Sequence, residues 1–104
     1  MSEKPQFLYV LKLTRPGMLT EGPTAAEQAT VGRHFAYVQD LTNKGIAILV
    51  GRTQTTGPDT MGLCIFEADD EASARAIMDH DPAITDGVMT GTLYPYKIAL
   101  MRGA

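Results

Sequence analysis

His34 and His80 are the two histidines of the chain and Cys64 is its one cysteine. With the carboxylates, they are the side chains that can move protons or hold metals near neutral pH. His34 lies in an apolar-periodic stretch. At 3.6 residues per turn, Val31, Phe35, Val38 and Thr42 form one stripe, and His34 sits within one turn of Val31 and Val38. It therefore flanks a buried face. There an imidazole serves as acid or base, or as a structural ring bonded to a strand carbonyl. Asp81 precedes Pro82, so its backbone is held extended and the direction of its carboxylate is fixed. Such a carboxylate can orient and polarise a histidine, or it can simply start a turn. His80 and Asp81 are adjacent and do not share a helix face, so 79–81 read as a solvated helix end.

Other chemistries fit less well. His34, His80 and one carboxylate would imitate a facial triad, but the ligands are scattered and no i, i+4 histidine pair exists, so no metal site is expected. Cys64 stands between Leu63 and Ile65, the setting of an inert buried thiol. No glycine-rich phosphate loop is present. Arg52 and Arg33 can meet an anionic group on a ligand or serve as surface charges. Tyr9, Tyr94 and Tyr96 can supply pocket walls and hydroxyls.

The elements that must position these residues follow from pattern. Residues 6–14, rich in β-branched and aromatic types between Pro5 and Pro16, read as a strand. Residues 15–23 read as a loop. Thr24-Ala25-Ala26-Glu27 is a capping box, opening a helix to about Lys44, with Gly45 at its C′ position. Strands follow at 46–53 and 61–68, joined by a turn around Gly57-Pro58-Asp59. Asp69, Asp70 and Glu71 suit a helix start, and that helix runs to about His80. Residues 82–87 read as a loop and 88–100 as a last strand interrupted by Pro95. The order β-α-β-β-α-β is the ferredoxin-like α+β arrangement, with four antiparallel strands ordered 4-1-3-2 and two helices on one face. Pro95 then sits on an edge strand, where proline is tolerated.

A sheet with both helices on one face should show a polar second face. These strands do not. Phe7, Tyr9, Leu11 and Leu13 oppose Leu8 and Val10; Ile46, Ile48 and Val50 oppose Ala47 and Leu49; Met61, Leu63 and Ile65 oppose Cys64 and Phe66. An apolar face of that size marks an interaction surface. Its simplest cover is the same sheet of a second copy, so a homodimer through the open sheet face is expected. The loop at 15–23 is too short to cover that face alone.

Composition removes several classes. With 104 residues, 44% of them hydrophobic and 20% charged, the chain reads as one globular domain spanning 1–104. The longest clean apolar run, Ile46 to Val50, is far too short for a membrane span. A net charge of −3 argues against nucleic-acid binding. The first residues, Met1-Ser2-Glu3-Lys4-Pro5, lack the plan of a signal peptide, and with one thiol the expected location is cytoplasmic.

Short motifs in order resemble one family across residues 7–100. Arg33-His34-Phe35-Ala36-Tyr37-Val38, with Leu41 and Gly45, resembles the H-L-x-x-L…G helix of the YCII-related (YciI-like) family. Ile48-Leu49-Val50-Gly51 is similar to that family's strand ending in Gly-Pro, although Arg52 stands here in place of the proline. Residues 72 to Asp81-Pro82 resemble its second helix and Asp-Pro step, and Gly87-Val88 and Tyr94-Pro95-Tyr96 its last strand. The resemblance implies a ferredoxin-like fold in a dimeric α/β barrel. It also implies an active site of a histidine and an aspartate, which map to His34 and Asp81. Some relatives are linked to elimination chemistry on halogenated hydroxyquinones.

The expectation is therefore a homodimeric, cofactor-free acid–base enzyme acting on a small organic molecule by elimination or isomerisation. His34 and Asp81 would be catalytic, and Arg52 and Tyr9 would bind substrate. The competing reading is a non-catalytic small-molecule-binding or accessory protein on the same fold. A third is another chemistry of the barrel group, such as a lactone isomerase or small monooxygenase, since fold does not fix function.

Overall fold

A computed structural model describes residues 4–103; residues 1–3, part of the segment read above for a targeting signal, lie outside the described residues. The elements are β1 (Gln6–Leu13), α1 (Gly17–Thr20), α2 (Ala25–Asn43), β2 (Ala47–Arg52), β3 (Gly62–Glu67), α3 (Glu71–Asp79), α4 (Pro82–Thr85) and β4 (Met89–Tyr96). The sheet order is β2-β3-β1-β4 and every pairing is antiparallel. The fold is the expected ferredoxin-like α+β architecture, with β4 and its Pro95 on an edge. No helix among the described residues is long and apolar enough to cross a membrane.

The capping box forms: the Glu27 amide donates to Thr24 Oγ1 at 3.1 Å and the Thr24 amide to Glu27 Oε1 at 2.7 Å. Both oxygens of Glu27 also accept from Arg15, at 2.8 and 2.6 Å. The Arg15 bonds, chiefly, hold the Glu27 carboxyl down at about 2. The pair ties the segment before α2 to the helix start. α2 ends at Lys44, where Gly45 takes φ 77° and lets the chain reverse into β2.

Four expectations need correction. Residues 15–23 are not all loop: Gly17–Thr20 form a helical turn that brings Met18 and Leu19 over the sheet. Residues 82–87 likewise contain the turn α4, with Pro82 in its first position. β4 stops at Tyr96 rather than running to 100: its ladder with β1 ends at the pair Gln6–Tyr96, and Pro5, the next residue of that strand, has no amide hydrogen to extend it. The fourth is a register shift between Ala47 and Leu49, where β2 pairs Ala47 with Phe66 but Leu49 with Ile65. One extra residue in the edge strand reverses the alternation. Ala47 and Val50 thus share the helix-covered face, while Leu49 turns to the other.

The core lies between helices and sheet and contains Phe7, Tyr9 and Leu11 from β1, Cys64 and Phe66 from β3, and Leu41 from α2. Across the sheet the second face carries Leu8, Val10, Leu63 and Ile65, with Leu49 53% and Tyr94 48% exposed. Residues 15–23 lie on the helix side and leave that face uncovered.

Gly91, the partner of Leu11 in β4, has a packing role that its sequence context does not announce. A Cβ there would come within 2.6 Å of Ile84 Cδ1 and 3.0 Å of Met78 Sδ, so α3 and α4 rest directly on the bare backbone. Gly91→Ala should destabilise the fold by about 1–3 kcal/mol, the usual cost of overpacking. Gly32→Ala, in the exposed middle of α2 with open space around it, should stabilise by about 0.5–1 kcal/mol. Chemical denaturation of both variants checks the pair; equal midpoints would show that Gly91 is not a packing site.

Candidate active site

Asp81 is fully buried, and a buried carboxylate must be supplied with donors. α3 finishes at Asp79 with His80 as its cap, and Pro82 holds Asp81 extended, at φ −63° and ψ 127°. In that conformation Asp81 caps α4, its Oδ1 accepting the Ala83 amide at 2.9 Å. The Tyr9 hydroxyl donates to Oδ2 at 2.8 Å. His34 Nδ1 completes the set, 2.8 Å from Oδ1 and 2.9 Å from Oδ2. The structure thus joins His34 to Asp81 across 47 residues of sequence.

Each donor is fixed by its own element. Tyr9 projects from the middle of β1 onto the helix side, where its ring meets Phe66 edge-on at 5.5 Å. Burial first, and then Cys64 and Asp81, push its phenol far above the ordinary range, so it remains a donor. His34 is held by α2, whose buried face runs through Thr30, Val38 and Leu41. That face is displaced from the expected stripe: Val31 is 37% and Phe35 62% exposed. His34 consequently sits nearer the covered face than its flanking position in sequence suggested, with a side chain 18% exposed. A second clamp lies beside the first. Asp86 accepts from Thr30 Oγ1 at 2.8 Å and pairs with Arg33, binding α2 to the end of α4.

These contacts assign the tautomer of the His34 ring. An acceptor-only carboxylate facing Nδ1 places the hydrogen on Nδ1. Nε2 then keeps its lone pair and is the atom free to accept a proton.

The ring also lines a cavity of about 620 Å³. Its floor is the helix-side face of the sheet, with Tyr9 and Leu11 from β1 and Cys64 from β3; α2 supplies Val31, His34, Phe35 and Val38; α1 supplies Met18 and Leu19. Val50 and Arg52 form the wall on the β2 edge, where the register shift aims them. Thus Tyr9, His34 and Arg52 meet the cavity, and Asp81 stands behind His34. Arg33 is engaged with Asp86. Tyr94 and Tyr96 lie on or beside the open face. His80 is at the exposed end of α3, its Nδ1 2.6 Å from the Ala76 carbonyl. Burial pushes the Cys64 thiol up to about 12, so it stays protonated at neutral pH. Among the described residues no group of three or more His, Cys, Asp and Glu could hold a metal ion.

Sequence reasoning did not find the Tyr9–Asp81 bond, nor Met18 and Leu19 as cavity walls. The alternation of β1 puts Tyr9 on the helix side, which was a signal for the first. Nothing in residues 15–23 marks the turn that places the second.

The architecture and the cavity beneath α2 define a ferredoxin-like α+β protein with a ligand-sized pocket. The description of the YCII-related domain matches residues 7–95, and the chain belongs to that family. Among solved structures it is similar to 5-chloro-2-hydroxyhydroquinone dehydrochlorinase (TftG) from Burkholderia phenoliruptrix AC1100, solved with 2,5-dihydroxybenzoquinone. That likeness has TM-score 0.62 and 22% identity and covers 88% of this chain and 93% of that one. It is also similar to MtbAldR, with TM-score 0.57 and 14% identity, over 97% of this chain and 58% of that longer one. A conserved protein from Methanosarcina mazei Go1 gives TM-score 0.50 and 13% identity, covering 90% and 94%. No curated protein matches the chain.

The assigned tautomer has a direct test. With only two histidines, nitrogen-15 correlation spectra of the labelled ring separate them readily. The neutral ring of His34 should carry its hydrogen on Nδ1 and leave Nε2 bare, and Asp81→Asn should shift the population toward the Nε2-protonated form. A native ring already protonated on Nε2 alone would contradict the assignment.

Proposed function

We propose that the chain is an acid–base enzyme in which His34 is the general base and Asp81 its orienting partner. The observation that supports this most is the pairing of His34 Nδ1 with both oxygens of a fully buried carboxylate while the same ring faces a cavity. Nε2 takes a proton from an acidic O–H or C–H of the ligand. The electron pair left behind forms a new π bond, and a leaving group on the neighbouring atom departs with its own pair; the net change is loss of H–X. In an isomerisation the same imidazolium returns the proton to a different atom. Neither course transfers electrons to a carrier, so a cofactor-free reaction suffices. Asp81 stabilises the imidazolium as it forms, and Tyr9 and Ala83 hold Asp81 still. The name of the dehydrochlorinase among the similar structures describes such an elimination.

The test is halide release from 5-chloro-2-hydroxyhydroquinone and from fused-ring halogenated hydroquinones. Active wild-type protein should lose about a hundredfold or more in kcat/KM on His34→Ala, the usual scale of general-base catalysis. Asp81→Asn should also lower it. Equal rates in wild type and His34→Ala would remove His34 as the base, and a wild type that releases no halide would return the chain to the competing reading, a small-molecule-binding protein.

We also propose that the open sheet face joins two copies. Leu8, Val10, Leu49, Leu63, Ile65 and Tyr94 form a continuous apolar surface there, the composition of an isologous interface. Light scattering on the eluting protein should give twice the chain mass. Leu49→Lys, placing a charge at the centre of an edge strand on that face, should shift the population to monomer without loss of the far-ultraviolet circular dichroism spectrum. A monomeric wild type would end the proposal.

A further inference from the structure

The charge around the cavity is lopsided. The chain carries a net charge of −3, yet among the described residues no Asp or Glu lines the cavity, and Arg52 is the one permanent cation that does. Two carboxylates of the surrounding elements are occupied elsewhere: Asp81 is sealed behind His34, and Glu27 is held by Arg15. Arg52 itself makes no ion pair among the described residues. Its position is set by the register shift in β2. Val50 pairs with Cys64, which pairs with Tyr9; Arg52 pairs with Gly62, which pairs with Leu11. Arg52 is therefore on the cavity side, one row beyond the row holding Tyr9, a step of about 7 Å along the strands. Gly62 beside it contributes no side chain, and a Cβ there would meet nothing closer than 3.7 Å. The rest of the lining is mostly apolar, with Leu11, Met18, Val31, Phe35 and Val38.

We infer that the cavity takes an amphipathic organic anion: an apolar body of fused rings or comparable bulk, with a carboxylate or sulfonate seated on Arg52 and its reactive proton facing His34. This rests on the acid–base reading for the word reactive; the anion subsite stands on its own geometry. A volume of about 620 Å³ is far more than a single six-membered ring fills and suits a ligand of several rings. Arg52 is exposed at the rim of the cavity, and a guanidinium there binds an oxyanion through paired N–H groups, a contact stronger than a neutral hydrogen bond. Arg52 is then the residue that sets specificity, and it stands where the resembling strand pattern has proline.

Two fluorescent probes isolate the charge: anilinonaphthalenesulfonate, which carries one sulfonate on fused apolar rings, and phenylnaphthylamine, the same rings without it. Wild-type protein should bind each at one site per chain, the sulfonate more tightly. Arg52→Gln should weaken the sulfonate probe by about tenfold or more and the neutral probe by less than about twofold, while Arg52→Lys keeps most of the preference. Val50→Trp, which fills the cavity from its exposed edge, should displace both. The inference is overturned if Arg52→Gln leaves sulfonate binding unchanged, if it weakens both probes equally, or if both survive Val50→Trp and so sit on the open sheet face. Its fate is separable from that of the base: an Arg52-dependent preference together with halide release indifferent to His34→Ala would retain the subsite and remove the chemistry.

Discussion

A carboxylate with no access to water is the constraint around which this chain is arranged. Asp81 has zero exposure, and an uncompensated charge at such a site would cost more than a small domain's whole stability margin. Its donors come from three parts of the chain: a strand hydroxyl, a helix imidazole and the amide of the turn that Asp81 itself caps. The sheet, α2 and the α3–α4 junction are therefore registered against one another at a single side chain. Small errors in any of them would leave a donor out of reach. The bare backbone at Gly91 belongs to the same arrangement, because it sets how closely the turn bearing Asp81 can approach the sheet.

The same geometry sets the two nitrogens of the imidazole apart: Nδ1 is engaged by Asp81 and Nε2 is left free. Three donors saturate the carboxylate, so Nδ1 is committed and the ring cannot swing without breaking two short contacts. Orientation of this kind is fixed before any ligand arrives, which is the condition for efficient proton transfer. The Tyr9 phenol, pushed high by burial, keeps its hydrogen and does not compete for the proton. The Cys64 thiol, at about 12, is likewise silent.

Much of this was legible in the sequence because it rests on local rules. The capping box, Gly45, the Asp-Pro step and Pro95 on an edge are each decided by one or two residues and their backbone preferences. Element order then leads to the sheet order. What could not be read depends on residues far apart. The bulge at Ala47–Leu49 has no glycine or proline to mark it; it follows from pairing with β3. The covered stripe of α2 is decided by where the sheet lies beneath it, so Thr30 is buried and Phe35 is not. The turns α1 and α4 are too short to leave a periodic pattern. Among site residues, His34 and Asp81 were visible as types, but their meeting is a tertiary fact, and so is the hydroxyl of Tyr9 between them.

The apolar surplus of the chain finds two destinations rather than one. Alternation along the strands pointed to an uncovered sheet face, and that face exists. The displaced α2 stripe creates a second: Val31 and Phe35 are withheld from the core and, with Val38 and Met18, roof a cavity above the sheet. A closely packed core would have consumed them. Leaving them unpacked forgoes stability, which a chain of 104 residues has little of to spare. His34, held by the buried carboxylate behind it, and Arg52, without an ion pair among the described residues, both border that unpacked apolar volume and give it polar groups at its margin.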